Sequence, residues 1–253
     1  MNNENALFTW PEEGVSRVPY LVYSDPDIYQ EEQTRIFRGA TWNFLGMEQE
    51  IPNPGDYKTV NMGDTPIVVV RDEKGEINAL VNRCAHRGNL VCVARHGKVD
   101  DRLTCVYHNW TYDLQGNLAS VAFAKGLGKK GGMPDDFNPA NHGMQPIRVD
   151  RFCGLVFGSF DNDIAPFKDY IGAEMAENME RVLGRGMKIL GTFSQHMPNN
   201  WKLYMENVRD SYHASLLHLF FTTFRINRLS MEGGIKLSDR GWHHISYSIA
   251  ATD

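Results

Sequence analysis

Basic charge is in short supply in this chain of 253 residues: 26 Lys and Arg stand against 31 Asp and Glu, for a net charge of −5. No basic patch stands out, which removes the electrostatic case for a nucleic-acid or anionic-membrane partner. Long apolar runs are missing as well. No stretch approaches the roughly 18 apolar residues of a membrane-spanning helix, and Met1–Glu13 is polar, without the apolar centre of a secretory signal. A cytoplasmic location is therefore expected. A dinucleotide fingerprint is also absent: Gly126-Leu127-Gly128, within the Gly- and Lys-rich loop Lys125–Pro134, is not a G-x-G-x-x-G that opens a helix after a strand. Cysteine is scarce. Of four, Cys92 and Cys153 are expected as buried free thiols in a reducing compartment, and the other two stand in a pattern with chemical meaning.

That pattern is Cys84-Ala85-His86 and Cys105-Val106-Tyr107-His108, with eighteen residues between the segments. Each segment offers one thiolate and one imidazole. Zinc fingers usually group a Cys pair on one element and a His pair on another. Two loops with one Cys and one His each can instead clasp a two-iron cluster, with both sulfurs on one iron and both nitrogens on the other. This is the ligation of a Rieske [2Fe–2S] centre. A structural zinc site, or two buried Cys beside two surface His, are the competing readings. Arg87-Gly88 follows the first pair and Asn109-Trp110-Thr111-Tyr112 the second. Gly88 is expected to permit close backbone approach, and Trp110 and Tyr112 to form an apolar cover that limits water.

A second constellation runs from Glu206 through Asp210 and His213 to His218. Pro198 signals a helix start, and on an ideal helix Glu206 and Asp210 share a face. His213 and His218 do not, since five residues turn them roughly 140° apart. The i, i+4 spacing with an adjoining Glu that marks zinc peptidases is missing. For both imidazoles to meet one ion, the helix must end or bulge between them. Taken alone, the two His could equally be ordinary half-buried residues, and Glu206 either a carboxylate supporting the site from behind its ligands or a solvated helix charge.

The first motif, C-x-H-R-G followed by C-x-Y-H-x-W-x-Y, resembles the Rieske domain of ring-hydroxylating oxygenases. It departs from many members at Val106 and Asn109, where they carry Pro and Gly. The second, Glu-x3-Asp-x2-His-x4-His, resembles their mononuclear-iron site. Ser16-Arg17-Val18-Pro19, Glu50-Ile51-Pro52, Asn82–Gly88 and Ser211–His218 are similar to large subunits acting on aromatic carboxylates, the terephthalate, anthranilate and salicylate group, with Cys105-Val106-Tyr107-His108 leaning towards terephthalate.

The resemblance implies a [2Fe–2S] cluster on Cys84, His86, Cys105 and His108, and an Fe(II) on His213 and His218. It also implies a third iron ligand, an Asp expected beyond Asp253, so that the chain is expected to be an N-terminal fragment. Asp210 would link His213 to His108 of another copy of the chain. NADH-derived electrons would arrive through a reductase, with or without a ferredoxin, and O₂ would hydroxylate an aromatic carboxylate. A trimer of the large subunit is implied, with or without a small β subunit. Leu216, Leu217, Phe220 and Phe221 could line the ring pocket or be ordinary core, and Arg225 and Arg228 are candidate carboxylate partners.

The expected fold class is α+β. Residues 1–44 form an N-terminal segment with a helix from Asp27 to about Phe37, and 45–160 an all-β Rieske domain. Residues 161–253 begin a helix-grip catalytic domain, a curved antiparallel sheet with a helix, cut off in mid-course. Strands are expected at Thr59–Met62, Pro66–Arg71, Ile77–Asn82, Leu103–Val106, Ile147–Val149, Gly154–Phe160, Lys188–His196 and Trp242–Ser248, with a hairpin over Asp113–Leu118 and a helix over Phe167–Val182. A half sheet exposes an edge, so aggregation of the chain alone is expected. Two other function classes compete: a Rieske electron carrier without oxygenase chemistry, which the second His pair argues against, and a zinc-binding interaction module, which colour and EPR would distinguish.

Overall fold

The computed structural model describes residues 10–128, 130–210, 212–224 and 231–249. Two compact units emerge, one of residues 31–170 with 183–190, the other of 1–30, 171–182 and 191–253.

The first unit is built on a seven-stranded antiparallel sheet. Its strands are β1 (Asn43–Met47), β2 (Asp56–Met62), β3 (Thr65–Arg71), β4 (Ile77–Val81), β5 (His96–Lys98), β9 (Pro146–Phe152) and β10 (Leu155–Ser159), in the order β1-β10-β9-β4-β3-β2-β5. A second, three-stranded sheet joins β6 (Leu103–Thr104), β7 (Thr111–Tyr112) and β8 (Leu118–Ser120). Strand β3 explains how the two are held together. Its run Ile67-Val68-Val69-Val70 is apolar at every position because both faces are covered. Val68 and Val70 enter one core with Leu80, Cys84, Cys105, Trp110 and Tyr112, whereas Ile67 and Val69 enter the opposite core with Leu45, Ile51, Met62 and Val156. Each fully buried side chain of this size stabilises the fold by about 1.5–3 kcal/mol. The central strand thus ties the ligand-bearing loops to the sheet.

Tight turns set the register. Gly63 and Gly75 adopt positive φ in the β2–β3 and β3–β4 turns, which glycine enters without strain. Asp72 closes the second turn by accepting N–H groups from Lys74 and Glu76. The expected strands at 59–62, 66–71, 77–82, 147–149 and 154–160 fall on β2, β3, β4, β9 and β10, and β7–β8 form the expected hairpin. The strand expected over Leu103–Val106 stops at Thr104, where the second ligand loop begins.

Helices α1 (Leu21–Ser24) and α2 (Pro26–Glu32) precede the sheet. The expected helix from Asp27 continues beyond α2 as a π turn over Gln33–Phe37. Gln33 is buried there and accepts the N–H of Asp64, docking the turn on the β2–β3 hairpin. The helix expected over Phe167–Val182 is two, α3 (Phe167–Ile171) and α4 (Ala173–Leu183), because Gly172 sits at φ +84° between them.

In the second unit α5 (Trp201–Arg209) starts three residues after Pro198, with Asn200 as its N-cap accepting the N–H of Lys202. One-turn helices α6 (Ala214–Leu217) and α7 (Leu219–Thr223) follow, then a hairpin of β11 (Glu232–Leu237) and β12 (His244–Ile249). The latter is the strand expected at Trp242–Ser248, shifted by two residues at its start. The strand expected over Lys188–His196 does not form. That segment is irregular, with Leu190 and Phe193 each 92% exposed, and no strand pairs with it among the described residues.

Candidate metal centres

The two ligand loops are local copies of each other. In the first, the N–H of Cys84 donates to the carbonyl of Asn89 at 2.8 Å, and the carbonyl of Cys84 accepts the N–H of Gly88 at 2.8 Å. In the second, Cys105 donates to Trp110 at 2.9 Å and accepts from Asn109 at 3.0 Å. The fourth residue after each Cys is left-handed: φ is +72° at Gly88 and +53° at Asn109. Asn is the residue other than Gly that enters this region most readily, so Asn109 satisfies the same backbone requirement. Gly88 supplies this φ without strain, and a Cβ there would meet no protein atom within 4 Å.

Both thiols are buried, Cys84 at 4% exposure and Cys105 at 1%, and no disulfide joins them. Burial alone would push the Cys105 thiol up. The N–H groups of Tyr107 and His108, the Cys84 thiol and the Asn89 amide outweigh it and hold Cys105 below its ordinary value. The Tyr112 hydroxyl lies 3.1 Å from Cys84 Sγ and accepts the N–H of Ala85 at 3.0 Å. Burial, then the neighbouring Cys84 sulfur, raises the Tyr112 phenol, which stays protonated.

The rings of His86 and His108 face each other edge to face, with centroids 4.7 Å apart. Burial lowers the pKa of His86, aided by His108 and Arg87, which favours the neutral imidazole that binds metal. Nδ1 of His86 is buried without a hydrogen-bond partner. An orphaned ring nitrogen beside buried thiols with N–H groups turned towards sulfur fits a [2Fe–2S] cluster. A single tetrahedral zinc fits less well, because no three His, Cys, Asp or Glu side chains among the described residues gather around one ion position.

Asn82 anchors the first loop. It is 1% exposed, its side-chain oxygen accepts the N–H groups of Val91 and Cys92, and its amide donates to the Cys92 carbonyl at 2.7 Å. Of the remaining thiols, Cys92 is buried, with its pKa pushed up to about 12 by burial. Cys153 is half-buried, contrary to expectation, because it occupies a hairpin turn at φ +52° beside Gly154.

In the second unit, α5 ends at Arg209 and Asp210 is its C-cap, its N–H still donating to the Glu206 carbonyl at 3.1 Å before the backbone turns extended. Glu206 is exposed. Asp210 Oδ2 lies 3.1 Å from Nδ1 of His213, while Oδ1 accepts the N–H of Tyr212. The Tyr212 N–H, then the nearby His213 ring, hold the Asp210 carboxyl below its ordinary value. His213 occupies the bend before α6, and His218 the break after it. Their Nε2 atoms are 3.1 Å apart. Asn207, which no sequence signal singled out, places Nδ2 3.2 Å from His213 Nε2.

Leu216, Leu217 and Phe220 are 55–75% exposed and are not core. The Phe221 side chain, Arg225, Arg228 and Asp253 lie outside the described residues.

Residues 41–129 match the family model of the Rieske [2Fe-2S] domain. Over 97% of its length the chain is 51% identical to the terephthalate 1,2-dioxygenase terminal oxygenase component subunit alpha 2 of Comamonas sp, covering 59% of that protein. It is 50% identical over 93% of its length to the anthranilate 1,2-dioxygenase large subunit of Burkholderia cepacia, covering 56% of it. Among solved structures, naphthalene 1,2-dioxygenase from Rhodococcus sp. bound to indole superposes with a TM-score of 0.75 at 28% identity, over 93% of this chain and 54% of the other. The chain thus spans between half and two thirds of the length of these relatives.

Proposed function

Because the chain belongs to the large (alpha) subunits of Rieske aromatic-ring-hydroxylating dioxygenases, over the part of their length that it spans, we propose that it hydroxylates an aromatic carboxylate with O₂. Cys84, His86, Cys105 and His108 would hold the [2Fe–2S] cluster, and His213 and His218 a mononuclear Fe(II). The observation that carries this reading is the presence of two separate donor sets, the matched Cys/His loops and the facing Nε2 atoms of His213 and His218. When bound, the cluster supplies one-electron transfer and the Fe(II) a site for O₂ activation.

The chain's own residues would do the rest. The N–H groups of Tyr107 and His108 and the Asn89 amide stabilise negative charge on Cys105, and the Tyr112 hydroxyl does so at Cys84. Burial keeps His86 neutral and free to donate a lone pair. Asp210 holds Nδ1 of His213, which fixes the ring with Nε2 turned towards His218. The half-exposed Asp210 carboxylate is the proposed bridge to His108 of another copy. A trimer, with or without a small β subunit, would supply that copy. A separate reductase, with or without a ferredoxin, would supply NADH-derived electrons. Residues 45–160 would be the cluster domain and 161–253 the beginning of the catalytic domain. The relatives named for terephthalate and anthranilate support an aromatic acid as substrate, with Arg225 and Arg228 as proposed partners of its carboxylate.

A second reading, a Rieske electron-transfer protein without oxygenase chemistry, draws on one observation. No third His, Cys, Asp or Glu joins the His pair among the described residues. The two are separated by supplying NADH, a reductase and terephthalate or anthranilate to the iron-loaded large subunit that contains this chain. The proposed function requires O₂ uptake that depends on the aromatic acid and a hydroxylated product. Reduction of the cluster without substrate-dependent O₂ uptake would favour the second reading.

A further inference from the structure

Outside the two motifs, one cluster of rings touches a proposed ligand. Trp110, 4% exposed, stacks on His86 with centroids 4.9 Å apart and planes within 8°. Phe137 meets the indole edge-on at 6.0 Å and His142 does so at 5.8 Å. These two stack on each other at 4.7 Å with planes 13° apart. The indole is therefore held between His86 and a parallel Phe137–His142 pair.

The segment that carries the pair is locally fixed. The N–H of Phe137 donates to Pro134. Asn138 caps a short 3-10 turn, Pro139–Asn141, by accepting from Ala140, and the N–H of His142 donates to Pro139. Phe137 packs against the same core as Cys84, Cys105 and Trp110. On the other side of the indole, His86 Nδ1 has no hydrogen-bond partner within the protein, so packing of the indole is the protein contact that steadies the ring.

We propose that Trp110, Phe137 and His142 form an aromatic wall that fixes the His86 ring and keeps water from that side of the cluster. Phe137 and His142 are then positioning residues that set the cluster's reduction potential. The inference rests on the reading of His86 as a cluster ligand. Its physical basis is charge. With two thiolates and two neutral imidazoles, the diferric cluster is neutral, and one electron from an external reductant gives a form with one negative charge. Water stabilises the charged form preferentially, so a wall that excludes it keeps the potential low. Edge and stacked contacts of this kind also resist ring rotation.

The test compares the iron-loaded full chain with Phe137→Ala and Phe137→Tyr, none of which changes the charge at the wall. Reductive titration is followed by EPR, and nitrogen couplings are measured by ENDOR. Phe137→Ala is expected to shift the reduction equilibrium several-fold towards the reduced form, to alter the coupling of one His nitrogen and leave the other, and to speed cluster loss in air. Phe137→Tyr is expected to restore wild-type values. Should Phe137→Ala fail to fold, Phe137→Leu is expected to shift the equilibrium in the same direction and by less. A loaded Ala or Leu variant with wild-type potential and couplings would overturn the wall. A wild-type chain that holds no EPR-active cluster would instead overturn the proposed function beneath it.

Discussion

Nε2 of His213 and Nε2 of His218 lie 3.1 Å apart, although five residues on a continuous helix would turn them roughly 140° from each other. The chain brings them together by ending α5 at Arg209, bending through His213 and stopping α6 at Leu217. Two ring nitrogens facing each other this closely need a proton or a cation between them. If the cation is iron, His213→Ala lowers the iron content of the loaded chain from about three per chain to about two and leaves the cluster's EPR signal unchanged. Metal analysis and EPR on the same sample check this; unchanged iron content would remove the mononuclear site.

Tyr112→Phe separates a hydroxyl that tunes the cluster from one that merely fills space. The hydroxyl contacts Cys84 Sγ and accepts the Ala85 N–H in a fully buried position. Its loss removes a hydrogen bond that favours the more negative, reduced cluster, so the potential falls. It also leaves the Ala85 N–H without an acceptor, which costs about 1–3 kcal/mol. Reductive titration and urea unfolding measure the two effects separately. A potential at or above that of the wild type would contradict the assignment.

Asn82 is the hub of the first ligand loop, since its amide serves Val91 and Cys92 together. Asn82→Ala strands buried backbone groups and is expected to destabilise the first unit by roughly 2–4 kcal/mol. Faster cluster loss should accompany it. A urea midpoint within error of the wild type would show that water takes over the amide's contacts.

Glu50 sets an acid-side limit on stability. Burial opposes its ionisation, but the Lys58 ammonium at 2.7 Å and the N–H of Met47 outweigh burial and hold the carboxyl below its ordinary value. A carboxyl whose folded pKa is depressed stabilises the fold fully above its unfolded value. That contribution is lost as pH falls through the lower, folded value. Unfolding midpoints measured down from neutral pH should therefore decline more steeply for the wild type than for Glu50→Gln below about pH 4.5. Parallel curves would assign the acid limb to other carboxyls.

What the sequence made legible follows from how local each determinant is. The four proposed cluster donors and the strand expected at Pro66–Arg71 are written in short patterns; the structure forms that strand as Thr65–Arg71 and buries Cys84 and Cys105 in one core. Lys188–His196 has strand-like alternation but no neighbouring strand to pair with among the described residues, and pairing is what makes alternation a strand. Gly172 divided one expected helix into two, since a residue at φ +84° ends helical geometry whatever the apolar spacing around it. Pro198 marked a helix start, yet Asn200 provides the cap, and Asn is favoured there for its side-chain acceptor. Asn82, Asn207, Phe137 and His142 were not legible, because their roles depend on distant segments meeting them. Asn89, immediately after the C-x-H-R-G run, is the one missed contact with a local signal: a short amide at a turn next to a Cys ligand.

EPR of the dithionite-reduced chain, with iron and zinc counted on the same sample, tests the central claim most directly. The arrangement of Cys84, His86, Cys105 and His108 predicts a rhombic signal whose average g value lies below that of all-Cys ferredoxins. An EPR-silent sample that contains zinc in place of iron would contradict it.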